Sequence, residues 1–192
     1  MANADRAAGF LPVRYITGAP YNGAADVYST ATGDATAIFL GDPVKLSGTS
    51  TTINGVVYAD VDQAATGDVI IGVVVGVLPV TNDSLIYRAA STARRLLVAT
   101  DPSLLYEIQE VSGGTALTAA AIGLNADFVV GTGSTITGFS GVELNNVGEA
   151  TTNTLDLQIL GLVSRADNEV GEHAKWLVRI NRHQFANQVA GV

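Results

Sequence analysis

The sequence predicts an all-β protein: a jelly-roll-like sandwich or β-barrel with an extended N-terminal arm and at most one short helix. Three observations lead there. Apolar residues recur at spacing two or in short solid runs, the pattern of strands rather than of helices. Gly, Asn, Asp and Thr separate the runs, and 21 of the 192 residues are glycine. Some ten strands follow one another with no helical pattern between them, which argues against a parallel α/β sheet.

Residues 1–24 lack periodicity and contain Gly9, Pro12, Gly18, Pro20 and Gly23, so they read as an extended arm. Residues 25–192 read as a single β-rich domain, a length one core can serve. Its expected strands cover residues 27–29, 36–40, 44–46, 55–61, 69–78 and 85–88, with "SGTSTTING" and "DQAATGD" as loops. The run "VIIGVVVGVLPV" is too short to cross a bilayer as a helix, which takes about 20 residues. It reads as a buried strand whose Gly72 and Gly76 mark a bend or a close approach. The stretch "RRLLVATDPSLLYEIQEV" reads as a strand pair, 95–99 and 105–111, hinged on Asp101-Pro102-Ser103. In the second strand Tyr106 and Ile108 face inward and Glu107 and Gln109 face water, because side chains alternate across a sheet. Thr118 caps a short helix in "AAAIGL", ended by Gly123. Strands 127–130, 141–144, 154–162 and 175–180 follow. The last sets Trp176, Val178 and Ile180 on one face and Lys175, Leu177 and Arg179 on the other; Trp176 reads as core, with an interface anchor as the alternative.

Charge and composition narrow the function. Ten Lys and Arg against eighteen Asp and Glu give a formal net charge of -8, which disfavours a nucleic-acid partner. The basic groups Arg88, Arg94, Arg95 and Lys175, Arg179, Arg182 read as solvated or paired. The chain has no cysteine, which removes disulfides and thiolate metal sites and fits a reducing compartment. Asp5 and Arg6 interrupt the apolar stretch a signal peptide needs. A chain 47% hydrophobic and only 15% charged is expected to keep apolar surface for a partner to cover.

The motifs that suggest chemistry each lack a part. "GFSG" has Val142 where a nucleophile elbow needs a glycine, so Ser140 reads as a turn residue. "VVGTGSTITG" has Gly131 and Gly133 but Ile136 in place of a third glycine, and no helix to hold a pyrophosphate. "DVDQAATGD" spaces Asp60, Asp62 and Asp68 loosely like a calcium loop, but Ile71 stands where the bidentate glutamate belongs. His173 and His183 are the only two histidines, and neither belongs to a close ligand spacing such as H-x-x-x-H. The expectation is no enzyme, no catalytic residue, no cofactor and no metal.

The blocks "MANADRAAGFLPVR", "GAPYNG", "FLGDPVKLSG" and "IIGVVVGV", with "DPSLLYEIQEV", "GLNADFVVGTGSTITGFSGVEL" and "GLVSRADNEVGEHAKWLVRINRHQF", resemble the capsid decoration, or cement, proteins of tailed bacteriophages. The resemblance implies a cofactor-free β protein made in the host bacterial cytoplasm. It would sit on the outer surface of the virion as a dimer or trimer, bound to the phage major capsid protein, with neither nucleic acid nor membrane as partner. On that reading the arm is the expected contact, with Phe10, Leu11, Val13 and Tyr15 as apolar anchors and Arg6 and Arg14 as charged ones. Arg94 and Arg95 are candidates for an acidic patch on the shell. An arm folded back as an edge strand of its own domain is the alternative. The rival readings are a tail or neck component and a carbohydrate-binding or hydrolytic jelly roll. Aromatics at 6% with a single Trp weaken the last.

Overall fold

The computed structural model describes residues 3–192; Met1 and Ala2, the first two residues of the expected arm, lie outside the described residues. Among the described residues twelve strands follow in chain order: β1 (Leu11–Tyr15), β2 (Asp26–Ser29), β3 (Pro43–Ile53), β4 (Val56–Gln63), β5 (Gly72–Val77), β6 (Arg95–Ala99), β7 (Leu104–Gln109), β8 (Asn125–Ala126), β9 (Phe128–Val129), β10 (Glu143–Leu144), β11 (Leu157–Leu162) and β12 (Lys175–Ile180). The protein is all-β. Among the described residues the one helical turn is a 3-10 turn, Ala119–Ala121, where the Thr118 hydroxyl accepts from Ala120 N at 3.3 Å. Gly123 follows at φ +93°, a conformation that costs a side-chain-bearing residue. No helix among the described residues is long and apolar enough to cross a membrane.

Strands β2-β4-β3-β5-β6 close into a barrel, and β1-β7-β12-β11-β8 form a five-stranded sheet, with β9 and β10 as a separate pair. The barrel core is built from Ile38, Val44, Val61, Ile71, Val74, Leu96 and Val98. A second core lies on the inner face of the sheet, around Phe10, Tyr106, Ile108, Phe128, Trp176, Val178 and Ile180, and takes in Ala64, Ile70, Val73 and Ala99 from the barrel side. Alternation makes this possible: each β-strand sends every second side chain to one face, and β12 follows the rule along its whole length.

Four expectations need correction. The strand pair of "RRLLVATDPSLLYEIQEV" does not pair with itself. β6 joins the barrel between β2 and β5, and β7 lies between β1 and β12. The Asp101-Pro102-Ser103 turn, held by Ser103 N on Asp101 Oδ1 at 2.7 Å, is a crossover between the two modules. Second, "SGTSTTI" is strand rather than loop. β3 continues through a register shift between Leu46 and Ser50 and turns at Asn54-Gly55, both at positive φ, as a two-residue hairpin requires. Third, residues 36–40 and 85–88 form only bridges, Ile38 with Arg88 and Leu40 with Phe139. Regular pairing stops there because the buried Arg88 guanidinium takes the carbonyls of Ala31, Thr36 and Thr92 and the Asp34 carboxylate. Fourth, Glu107 and Gln109 are not on a wet face: both are buried, for reasons given below.

The N-terminal segment takes the alternative form, an edge strand of its own domain, rather than that of a free arm. Its residues 11–15 are β1, an edge strand paired antiparallel with β7. Phe10 is wholly buried, edge-on to Tyr106 and Phe128 at 5.8 and 6.0 Å between ring centroids.

Candidate interface on the outer face of the sheet

The strand register assigns the outer face. Lys175 lies opposite Gln109, Leu177 opposite Glu107 and Arg179 opposite Leu105; on the other side Arg179 meets Gln158. β1 adds Leu11 opposite Glu107 and Arg14 opposite Leu105. Facing residues share a face, so one lateral row reads Arg14, Leu105, Arg179, Gln158 and the next Leu11, Glu107, Leu177.

Two segments cover part of this face. The N-terminal segment is fixed by Asn3, whose side chain donates to the carbonyls of Glu169 and Glu172 at 2.9 Å each, and by Arg6 N donating to Gln109 Oε1 at 2.7 Å. From the other side Arg165 reaches over the sheet and donates from Nη1 to both oxygens of Glu107 at 3.0 Å. These contacts explain why Glu107 and Gln109 are buried although they point outward. A cavity of about 410 Å³ remains, lined by Arg6, Leu11, Glu107, Arg165, His173 and Lys175 among others. A second, of about 270 Å³, is lined by Val13, Arg14, Leu162, Val163, Ser164 and Leu177.

Basic residues gather on this face, interleaved at the N-terminal segment's side with Glu107, Asp167, Asp5 and Glu143. Arg6, Arg14, Arg165, Lys175 and Arg179 are five of the ten basic residues in a protein of net charge -8. Arg165 pairs with Glu107 and Asp167. Arg6, Arg14, Lys175 and Arg179 have no carboxylate within 4.0 Å among the described residues, and Arg179 Nε is buried without a hydrogen-bond partner. Cations without carboxylate partners beside half-buried Leu11 and Leu177 suit a protein surface that brings carboxylates and apolar groups together.

Of the residues singled out from the sequence, Arg6, Leu11, Val13 and Arg14 come together here. Phe10 does not: it is core, and a side chain spent on the interior cannot anchor a partner. Tyr15 packs against the same core and against Tyr21. Arg94 and Arg95 lie on the barrel strand β6 and its approach. The Arg94 guanidinium is used on the carbonyls of Leu78 and Leu85 at 3.2 and 3.1 Å, which removes it as a contact for an acidic patch. Arg95 is half-buried beside it. Arg88, the third member of that basic group, is fully buried and paired with Asp34 at 2.8 Å. Sequence reasoning missed Arg165 and Gln109. The alternation that puts Lys175, Leu177 and Arg179 on one face was visible; their neighbourhood with β1 was not.

The motif residues take structural roles. Ser140 is buried, and its Oγ accepts from Val142 N at 3.0 Å. Gly131 and Gly133 permit close approach to Gly141 and to the Phe39 ring. Asp60 is held by the hydroxyls of Ser29, Thr49 and Thr51, and Asp68 by Lys45 at 2.8 Å. Trp176 is wholly buried. Elsewhere, exposed Ile86, next to exposed Leu85, approaches Gly138 in the turn that carries exposed Ile136 and Phe139. No protein-family model matches the chain, and no curated protein or solved structure matches it either.

Proposed function

We propose that the chain is a structural virion protein that decorates the outside of a tailed-phage head and stabilises the major capsid protein lattice. The observation that carries this reading is the outer sheet face, where Arg14 and Arg179 flank Leu105 without carboxylate partners beside two apolar-edged cavities. On an acidic body the row of Arg14, Leu105 and Arg179 is the part of this face whose cations lack carboxylate partners; it orients the protein on an acidic protein surface, and the remaining charge keeps it off nucleic acid. Repetition does the rest: on a lattice, a modest interface per copy gains from self-association as a dimer or trimer, because the second attachment is intramolecular. The N-terminal segment takes part as a piece of that face, through Arg6, Leu11, Val13 and Arg14, rather than as a free arm. The residues match no hydrolytic or cofactor motif, and the reading assigns none.

The experiment is co-sedimentation of purified protein with heads that lack it. Wild type saturates the heads, and the Arg14→Glu/Arg179→Glu double variant binds at least about tenfold more weakly, since like charges now face the shell. Equal binding by a folded double variant would remove this face from the reading.

A further inference from the structure

At the N-terminal edge of the sheet three segments converge on one point. Asp5 comes from the N-terminal segment, Glu143 from β10, and His173 from the turn before β12. One donor atom from each lies within 4.8 Å of the others, and His173 Nδ1 stands 3.7 Å from Asp5 Oδ1. Gln109 holds the two carboxylates together: its Nε2 donates to Asp5 Oδ1 at 2.9 Å and to Glu143 Oε1 at 2.8 Å. Its Oε1 accepts from Arg6 N and from Lys175 Nζ, which fixes the amide with its donors toward the acids. His173 Nδ1 is buried and has no hydrogen-bond partner, an arrangement that costs free energy unless something fills it.

We propose that Asp5, Glu143 and His173 bind a divalent transition-metal cation of the zinc type, with Gln109 as the outer partner that orients both carboxylates. The donor set is one imidazole and two carboxylates, a combination zinc accepts. Tetrahedral coordination at ordinary bond lengths sets donors about 3.4 Å apart. The Nδ1 to Oδ1 separation is near that already, and Asp5, more than half exposed, closes the remainder by pivoting on its Gln109 hydrogen bond. A cation there gives the orphaned nitrogen its partner and offsets two neighbouring negative charges. It also ties the N-terminal segment, and Arg6 with it, to the sheet from two further points. Metal binding is read on the isolated protein, so its failure and the failure of head binding are separate results.

The test uses the full chain after EDTA treatment. Calorimetric titration with zinc chloride is expected to show one equivalent bound, and the unfolding temperature to rise as zinc is added. His173→Asn, chosen because Asn tolerates the positive φ of +61° at this position, is expected to weaken binding roughly a hundredfold or more, beyond what loss of an outer partner does. Glu143→Gln weakens it as well, whereas Asp83→Asn, at an exposed loop, leaves it unchanged. Absence of uptake at about 100 μM zinc, far above an ordinary structural zinc affinity, overturns the proposal. So does a folded His173→Asn variant that binds like wild type.

Discussion

The indole Nε1 of Trp176 donates to Glu110 Oε2 at 2.9 Å, and both side chains are wholly buried. Glu110 also accepts from Leu117 N at 2.8 Å and from Asn146 Nδ2 at 3.3 Å. A single carboxylate therefore satisfies three donors that water cannot reach. Glu110→Ala strands the indole N–H and the Leu117 amide, while Asn146 Nδ2 keeps the carbonyls of Val111 and Gly113, and is expected to cost about 3 kcal/mol. Glu110→Gln, which keeps an acceptor in place, costs less. Urea unfolding followed by the fluorescence of Trp176 measures both, and a loss below about 1 kcal/mol for the alanine variant would show that the donors find other partners.

Phe10 separates two views of the N-terminal segment. As a core residue against Tyr106 and Phe128, its replacement by Ala is expected to destabilise by about 3 to 5 kcal/mol. As a free anchor it would weaken attachment and leave stability alone. Thermal or urea unfolding of isolated Phe10→Ala decides; unchanged stability would return the residue to the surface.

Buried carboxyls and a buried imidazole give opposing pH dependence. Burial pushes the Asp42 carboxyl up to about 6 against the opposing hydrogen bonds of Ser140, Phe39 and Gln63, Phe39 N donating at 2.8 Å. Being raised, its contribution is fully present below the ordinary carboxylate range and is lost as pH rises through about 6. Asp156, buried beside Asp127, is raised in the same sense. Burial lowers His183 to about 4, so its contribution is present above the usual imidazole pKa and is lost as pH falls through about 4. In the wild type these trends offset each other between the two ends. Asp42→Asn removes one, and its stability relative to wild type is expected to improve by roughly 2 to 3 kcal/mol from pH 4 to pH 8. Urea midpoints across that range check it, and a pH-independent difference would mean that Asp42 is ionised throughout.

Charge at the docking face predicts a salt response. Attachment to heads through Arg6, Arg14, Lys175 and Arg179 is expected to weaken by about tenfold or more between low salt and about 0.5 M, where the screening length falls to a few ångströms. Binding isotherms at several ionic strengths measure it. Salt-independent attachment would point instead to the apolar surface of Leu85, Ile86, Ile136 and Phe139.

Local chemistry was legible where it repeats at short range. The alternation of "KWLVRI" gave β12 and both of its faces, and Thr118 and Gly123 gave the single helical turn. What failed depended on partners distant in the chain. Glu107 and Gln109 look like wet-face residues until Arg165 and the N-terminal segment close over them from 58 and 103 positions away. The "TDPS" hinge looks like a hairpin because nothing in either strand says that its neighbours lie in different modules. The arm looked free because Gly and Pro interrupt its pattern, yet Phe10 and Leu11 already carry the one-in, one-out choice that makes β1 an edge strand. The outer face was half visible, through Lys175, Leu177 and Arg179; the parts drawn from β1 and from residue 165 required the fold.

Electron cryomicroscopy of heads decorated with this protein, at a resolution that traces side chains, tests the docking face directly. The expected map has the β1-β7-β12 surface, with Arg14, Leu177 and Arg179, against acidic and apolar groups of the major capsid protein, and the barrel turned away. A map with that surface open to solvent, or heads that bind no copies at all, would contradict the assignment.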